Sequence, residues 1–159
     1  MPGKTVRESA SEYAQLALPN DANSFGNVLG GTVMHLVDIA AAMAAMRHTR
    51  QPVVTASVDS FQFLHPVHIG ELILLRSSVN RVFRTSMEVG VYVEAENLMT
   101  GKRVHTTSAY LTFVALDHEG RPSAIAQVVP ESEDEQRRYR QAGERREARL
   151  ALRTRQRPR

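Results

Sequence analysis

An aspartate inside an apolar helix, with a glycine pair before it, gives this chain its clearest capacity for chemistry. Asp38 follows Gly30-Gly31 by about two helical turns, and Thr32 to Met46 is otherwise almost wholly apolar. A carboxylate in such surroundings is costly unless it is paired, protonated or facing a polar cavity. Free backbone N–H groups at a helix start can bind an anion or a carbonyl oxygen. This pairing of an acid with backbone donors predicts hydrolysis at a carbonyl group.

Other catalytic classes find little support in the residue types. The chain has no cysteine, which excludes disulfides, cysteine-based zinc sites and thiol nucleophiles. It contains no Gly-x-Ser-x-Gly nucleophile elbow and no Gly-x-x-x-x-Gly-Lys phosphate loop. The six histidines lack metal-ligand spacing, so they are expected to be structural or on the surface. His35, one turn before Asp38, is the candidate neighbour for its carboxylate. No metal or other cofactor is expected.

The hydrophobic pattern predicts the elements that position these residues. A first strand is expected at 9–18, a loop at 21–31, and a buried helix ending near Arg47. After Pro52 the pattern alternates, which predicts consecutive antiparallel strands, the later ones at 71–82, 85–95 and 102–116. The economical packing is an α+β fold in which one curled sheet wraps the helix. The exposed edges of such a small sheet favour self-association.

Charge divides the chain into a nearly neutral body and a basic tail. The net charge is +3 and the pI is 9.7, but residues 131–159 hold ten arginines against six acids. We therefore expect a disordered N-terminus at 1–8, a catalytic domain at 9–126 and an Arg-rich helix or tail at 127–159. The composition of the tail favours solvation over packing, and we expect it to be dispensable for chemistry. RNA or an acidic partner is the alternative use of its charge.

No membrane or export signal is evident in the sequence. The apolar helix is only about 15 residues long, short of the ~20 residues needed to cross a bilayer, and nothing resembles a signal peptide. A cytoplasmic protein is the default expectation.

The residues around the aspartate resemble a known family. The block 21–38, Asp-Ala-Asn-Ser-Phe-Gly-Asn-Val-Leu-Gly-Gly-Thr-Val-Met-His-Leu-Val-Asp, is similar to hotdog-fold acyl-CoA thioesterases. These include the bacterial YciA-like enzymes and the eukaryotic cytosolic, brain-type acyl-CoA hydrolases. The similarity continues in order through 53–59, 63–66, 85–89 and 112–116, and it reaches the start of the tail at 130–135. The glycine pair alone would be a weak signal, whereas the ordered set is a strong one.

The resemblance implies a hotdog fold and the hydrolysis of acyl-CoA to free fatty acid and CoA. It assigns Asp38 as general base or nucleophile, and the Gly31 N–H, beside Gly30, as oxyanion donor. In the family, an asparagine or aspartate at the place of Asn27 faces the catalytic acid of the other hotdog unit. Asn23, at a matching polar position, is expected mainly to structure the loop and to lie near the substrate.

Further roles carried by the resemblance concern Thr55 and the segment Arg84-Thr85-Ser86. Thr55 is expected to hydrogen-bond to Asp38 or to the attacking water, and residues 84–86 to approach the phosphates or pantetheine of the coenzyme. The family also implies homodimers, often assembled as trimers of dimers, and a place in fatty acid metabolism. Neither a membrane nor a nucleic acid is expected as a partner.

Two rival functions stay open at this point. One is a hotdog hydratase, although those enzymes usually place a catalytic histidine beside an aspartate. The other is an acyl-CoA-sensing or RNA-contacting binding module without catalysis, which the retention of Asp38, Asn27 and both glycines makes less favourable. The preferred acyl length depends on pocket depth at residues such as Met34, Met43, Phe61 and Phe63, whose arrangement a sequence does not give.

Overall fold

A 20-residue helix lies against one face of a five-stranded antiparallel sheet in the computed structural model, which describes residues 1–59 and 61–158. In chain order the elements are β1 (Lys4–Thr5), β2 (Ser11–Leu16), α1 (Gly30–Thr49), β3 (Val53–Asp59), β4 (Leu72–Val82), β5 (Ser86–Glu96), β6 (Arg103–Ala115), β7 (Val128–Val129) and α2 (Glu133–Arg155). The large sheet has the order β2-β4-β5-β6-β3, while β1 and β7 form a small parallel pair. This is the expected hotdog arrangement, with boundaries close to the predicted ones.

One face of α1 forms the core with the sheet. Its buried residues are mostly small, which lets the sheet approach closely: Val33, Leu36, Val37, Ala40, Ala41, Ala44, Ala45 and His48. The opposite side carries Met34 and Met46, which are 44% and 43% exposed. The helix that the sequence predicts to be buried is therefore open on one side in the single chain, because one curled sheet covers only the other side. An exposed apolar stripe of this kind favours contact with another surface.

Strand β5 shows the alternation that the sequence predicts. Met87, Val89, Val91, Val93 and Ala95 are buried against α1 on what we call the inner face of the sheet. The residues between them point to the opposite, outer face. On that outer face the charged residue Glu88 is nevertheless buried, with only 1% of its surface exposed.

Strand β3 is an open edge of the sheet. It pairs with β6 only, and Val54 and Val58 are exposed along it. The pairing register shifts between Thr55 and Ser57, which marks an irregularity within the strand. The edge therefore presents unpaired backbone groups and apolar side chains to a further strand.

The N-terminal segment is ordered from Lys4 onward, which corrects the expected disorder over 1–8. Lys4 pairs with Val128 in the small parallel sheet, and Val6 is buried. The Lys4 ammonium donates to the carbonyl oxygen of His48 at 2.6 Å, near the end of α1 where a helix favours cations. The His48 ring lies within 2.7 Å of the Ala126 carbonyl oxygen, and burial lowers its pKa. The N-terminal segment and the stretch at Ala126 are thus fastened to the end of α1.

Helix α2 begins with a capping box and then packs against the outer face. The Ser132 side chain accepts from the Glu135 N–H, and the Glu135 carboxylate accepts from the Ser132 N–H. Ala142 is buried, and a Cβ at Gly143 would collide with the guanidinium of Arg81. Small residues at this point let the helix approach the sheet closely.

Two ion pairs hold α2 in place, and we call them the α2 clamp. Arg145 Nε donates to Glu88 Oε1 at 2.7 Å, and Arg149 Nη1 donates to Asp59 Oδ2 at 2.7 Å. The Arg145 guanidinium also lies 3.6 Å from the ring centroid of Tyr110. The expectation of a solvated tail is therefore wrong for this part of α2. The sequence pattern lacks apolar periodicity because arginines, not aliphatic residues, make the contacts.

Replacing Arg145 by methionine should destabilise the fold in a pH-dependent way. Burial raises the pKa of the Glu88 carboxyl, and Arg145 opposes that rise. A raised folded-state pKa means that the stability from protonated Glu88 is present at low pH and lost as pH rises through that pKa. Without Arg145 the loss grows, because breaking a buried pair leaves an uncompensated charge.

We expect the free energy of unfolding of Arg145→Met to fall by about 3 kcal/mol near pH ~7.5, and by less near pH ~5. Urea denaturation at both pH values measures the difference, with the exposed Arg153→Met as matched control. An equal loss at both pH values would argue against a buried Glu88 charge as the cause.

Candidate active site

A pocket of about 280 Å³ opens between α1 and β3, beside Asp38. Its lining combines the acid, the helix start and apolar side chains: Gly31, Met34, His35, Val37, Asp38, Thr55, Val58, Phe61 and Leu111. Asp38 is partly buried, as a carboxylate at the wall of an open pocket must be. The acid and the glycine that the sequence singles out therefore meet at one cavity.

Asp38 is held by a side chain from the neighbouring strand. Thr55 Oγ1 donates to Asp38 Oδ1 at 2.7 Å, which is the expected hydrogen bond. In the part of the chain that the structure describes, no protein donor is paired with the second carboxylate oxygen, Oδ2. One oxygen is thus fixed by β3, and the other is available to accept a proton or a hydrogen bond from water.

The two glycines at the start of α1 serve different purposes. The Leu29 carbonyl oxygen accepts from the N–H groups of Thr32 and Val33. The N–H groups of Gly30 and Gly31, by contrast, have no protein acceptor among the described residues. A Cβ at Gly30 would come within 3.2 Å of the Phe63 ring, so this glycine permits close packing. A Cβ at Gly31 would meet no atom within 4 Å, and Gly31 lines the pocket. Its N–H is therefore a donor at the cavity.

The loop before α1 is organised by its two asparagines. Asn23 Oδ1 accepts from the N–H groups of Phe25 at 2.9 Å and Asn27 at 3.2 Å. Asn27 Oδ1 lies 2.8 Å from Nδ1 of His68, a contact that sequence reasoning missed because the two residues are distant in the chain. Neither asparagine lines the pocket of its own chain. Phe25, at the loop tip, is 87% exposed, so the loop projects outward with an ordered backbone.

Arg84 and Thr85 lie in the turn between β4 and β5, and Ser86 is the first residue of β5; none of the three belongs to the pocket lining. The carbonyl oxygens of Arg84 and Thr85 accept from the N–H groups of Ile125 and Ala115. Ser86 Oγ accepts from Arg146 Nη1 at 3.3 Å. Arg84 is exposed and paired with no carboxylate among the described residues. The structure thus gives this turn structural contacts within the chain.

The pocket wall differs in part from the residues expected to set its depth. Met34 and Phe61 line it, whereas Met43 does not, and Phe63 packs against Gly30. Val58 and Leu111, which sequence reasoning missed, face each other across β3 and β6. The cross-strand register was the missing information, since it alone brings these two side chains to one wall.

Within residues 1–59 and 61–158, no group of three or more His, Asp or Glu side chains could hold a metal ion. His35 lines the pocket, but the recorded partner of Asp38 is Thr55. The described part of the chain also contains no helix long and apolar enough to cross a membrane.

Comparison with known proteins identifies relatives along most of the chain. A family model described as the thioesterase superfamily matches residues 25–102. The uncharacterized acyl-CoA thioester hydrolase YkhA of Bacillus subtilis is 42% identical over 129 residues, which cover 81% of this chain and 75% of that protein. The mouse cytosolic acyl coenzyme A thioester hydrolase is 37% identical over 137 residues, which cover 85% of this chain but only 36% of its relative. The chain thus spans about a third of that longer protein.

Solved structures share the fold at similar identity. The apo crystal structure of a hexameric acyl-CoA thioesterase has a TM-score of 0.92 and 40% identity, and covers 96% of this chain and 97% of that one. An acyl-CoA hydrolase of Staphylococcus aureus, in complex with butyryl coenzyme A, coenzyme A and coenzyme A disulfide, has a TM-score of 0.90 and 37% identity, with coverage of 96% and 93%. These matches confirm the predicted hotdog fold.

Three variants of the S. aureus enzyme give a further comparison. Alanine replaces an aspartate in one structure, a threonine in another and an asparagine in a third. In this chain Asn23 precedes Asp38 by 15 residues and Thr55 follows it by 17. The three substituted residues of that enzyme are separated by the same numbers of residues. The matching spacing falls on Asn23, not on Asn27.

Proposed function

The chain belongs to the thioesterase superfamily, and from this we propose that it hydrolyses acyl-CoA thioesters to free fatty acid and CoA. The observation that carries the proposal is the pocket itself. Asp38, fixed by Thr55, and Gly31, whose N–H has no protein acceptor among the described residues, line one apolar cavity at a helix start. Relatives named as acyl-CoA hydrolases, one of them solved with CoA ligands, support the substrate class.

In the proposed reaction Asp38 acts as a general base. Its free carboxylate oxygen takes a proton from water as the water oxygen bonds to the thioester carbonyl carbon. Negative charge develops on the carbonyl oxygen, which the Gly31 N–H binds at the positive end of α1. The carbon–sulfur bond then breaks, and the CoA thiolate takes up a proton. Asp38 as nucleophile, through an acyl-aspartyl intermediate that water hydrolyses, is the alternative course at the same site.

We propose that the loop of a second chain completes this site. The loop asparagines do not reach the pocket of their own chain, whereas the loop tip projects outward. The spacing match supports Asn23 as the residue that orients water or the thioester carbonyl. Asn27, the residue that the sequence favoured for this role, then fixes the loop through His68. Both asparagines thus act at the partner's site, one directly and one by shaping the loop.

Homo-oligomerisation follows from the surfaces left open in one chain. The edge strand β3 exposes Val54 and Val58, and α1 exposes Met34 and Met46. We propose a homodimer that covers these surfaces, with a trimer of dimers as the full assembly. The hexameric thioesterases with similar folds support this arrangement.

Further proposals concern coenzyme contacts, cofactors, metabolic role, domain bounds and location. We propose that Arg84, Thr85 and Ser86 approach the coenzyme in the assembled enzyme. We propose that no metal or redox cofactor takes part in the reaction. We also propose that the fatty acid product enters fatty acid metabolism. Residues 9–126 are proposed to form the catalytic domain. A cytoplasmic location is supported by the cytosolic name of the mouse relative.

A binding module without catalysis gains no support from the tail. Arg145 and Arg149 pair with carboxylates of the sheet, and Arg146 lies 4.2 Å from the ring centroid of Phe83. Arginines engaged within the chain are less available for RNA phosphates. The catalytic proposal therefore stands ahead of this alternative.

The proposal is tested by release of CoA thiol from a panel of acyl-CoA substrates of increasing chain length. Because the chain has no cysteine, every thiol that a colorimetric reagent detects comes from the substrate. We expect catalytic release with at least one chain length, at a kcat of roughly 1 s⁻¹ or more. Absence of release across the whole panel, with folded and oligomeric protein, would contradict the proposal.

A further inference from the structure

The α2 clamp ends on the strand that carries one wall of the proposed active site. Arg145 and Arg149 are four residues apart and therefore lie one above the other on the same face of α2. The first binds Glu88 on β5, near the middle of the sheet, and the second binds Asp59 on β3, at its edge. Helix α2 thus ties the edge strand to the sheet interior from the outer face.

Asp59 adjoins residues that enter the pocket. Val58, the residue before it, and Phe61, two residues after it, both line the cavity beside Asp38. Neighbouring residues of a strand point to opposite faces, so Asp59 can bind α2 outside while Val58 faces the cavity inside. The position of Asp59 therefore affects where this wall lies.

The clamp adds to the contacts that hold strand β3 within one chain. Within a single chain this strand pairs with β6 alone, and its register with β6 shifts between Thr55 and Ser57. The stretch beyond that shift is held by the end of the β3–β6 ladder and by the Arg149–Asp59 pair. The side chains of Arg149 and Asp59 are only 23% and 22% exposed, so solvent screens the pair less than an open surface pair.

Resting on the proposed function, we propose that Arg149 is a positioning residue for acyl-chain recognition. Through Asp59 it fixes the end of β3, and thereby the wall that Val58 and Phe61 present to the acyl group. Asp38, Thr55 and Gly31 lie on or beside α1 and on the earlier part of β3, so the reacting centre depends less on this contact. The effect of the clamp should therefore grow with the length of the acyl chain.

Arg149→Gln tests this assignment, with Arg153→Gln as matched control, because Arg153 lies one turn later and is exposed. We expect KM for a long-chain acyl-CoA to rise about fivefold or more, while KM for butyryl-CoA and both kcat values stay within about twofold. Arg149→Lys should restore much of the loss, because the pair uses one N–H of Arg149 and needs no bidentate fork. Asp59→Asn should reproduce the effect, and the double variant should add little to it.

Equal changes of KM and kcat at every chain length would overturn the positioning role and leave only a contribution to stability. Unchanged kinetics in both Arg149→Gln and Asp59→Asn would overturn it as well. If the wild type releases no CoA thiol at all, the proposed function fails. The anchoring of β3 by the clamp is then tested separately by hydrogen exchange. The clamp predicts amide exchange about tenfold faster in residues 53–59 of Arg149→Gln, with β4 unchanged; no such change would overturn the anchoring of β3.

Discussion

Asp38→Asn should lower kcat for acyl-CoA hydrolysis by about 10² to 10⁴-fold, the usual contribution of a general base. The amide keeps the size of the carboxylate, and its oxygen can still accept from Thr55, so the pocket and the oligomer should persist. What the variant loses is the ability to accept a proton from water or to attack the thioester. A larger effect on kcat than on KM is expected, because the lost interaction is made in the transition state.

The matched control for this variant is Asp134→Asn, a loss of one carboxylate on the exposed part of α2. It should leave kcat within about twofold, since surface substitutions seldom propagate to a site. Both proteins are measured on one short and one long acyl-CoA by thiol release. Wild-type rates for Asp38→Asn on both substrates would remove Asp38 from the mechanism.

The architecture was predictable from sequence because its signals are local. The run of Ala, Leu and Met predicts α1, and the alternation of Met87, Val89 and Val91 predicts β5, both of which the structure confirms. The resemblance to hotdog thioesterases is confirmed by the family match and by the solved structures. What a local pattern does not give is the extent of burial, so the open side of α1 went unpredicted.

The tail shows where reasoning from composition fails. Its arginines indicated solvation, yet Arg145 and Arg149 find buried or half-buried carboxylates far away in sequence. Those carboxylates lie on the outer face of their strands. The sequence pattern of a polar outer face is the same whether or not a helix covers that face. Only the three-dimensional contact distinguishes a solvated face from a docked one.

The part of the proposed site that lies close together in the sequence was predictable. Gly31 and Asp38 belong to one helix, and the bond from Thr55 follows from packing α1 against β3. The sequence favoured Asn27 over Asn23 for the shared site, although both are loop asparagines four residues apart and no local signal decides between them. Their side-chain partners differ, and the spacing match with the S. aureus variants supports the proposal that Asn23 acts in the shared site.

A complete site drawn from two chains is tested most directly by mixing two inactive variants. Asp38→Asn retains an intact loop, and Asn23→Ala retains an intact Asp38. If each site takes Asp38 from one chain and Asn23 from the other, every mixed dimer contains one intact site and one doubly defective site. Random assembly of equal amounts should then restore about a quarter of wild-type kcat, given a symmetric dimer.

The measurement is CoA thiol release by oligomers assembled at random from equal amounts of the two co-expressed variants, whose composition is verified by mass spectrometry. Mixed oligomers of Asn27→Ala with Asp38→Asn serve as the comparison for the second loop asparagine. Recovery to about a quarter of wild-type activity, from two variants that are each nearly inactive alone, is the predicted result. No recovery in verified mixed oligomers would contradict a site shared between chains.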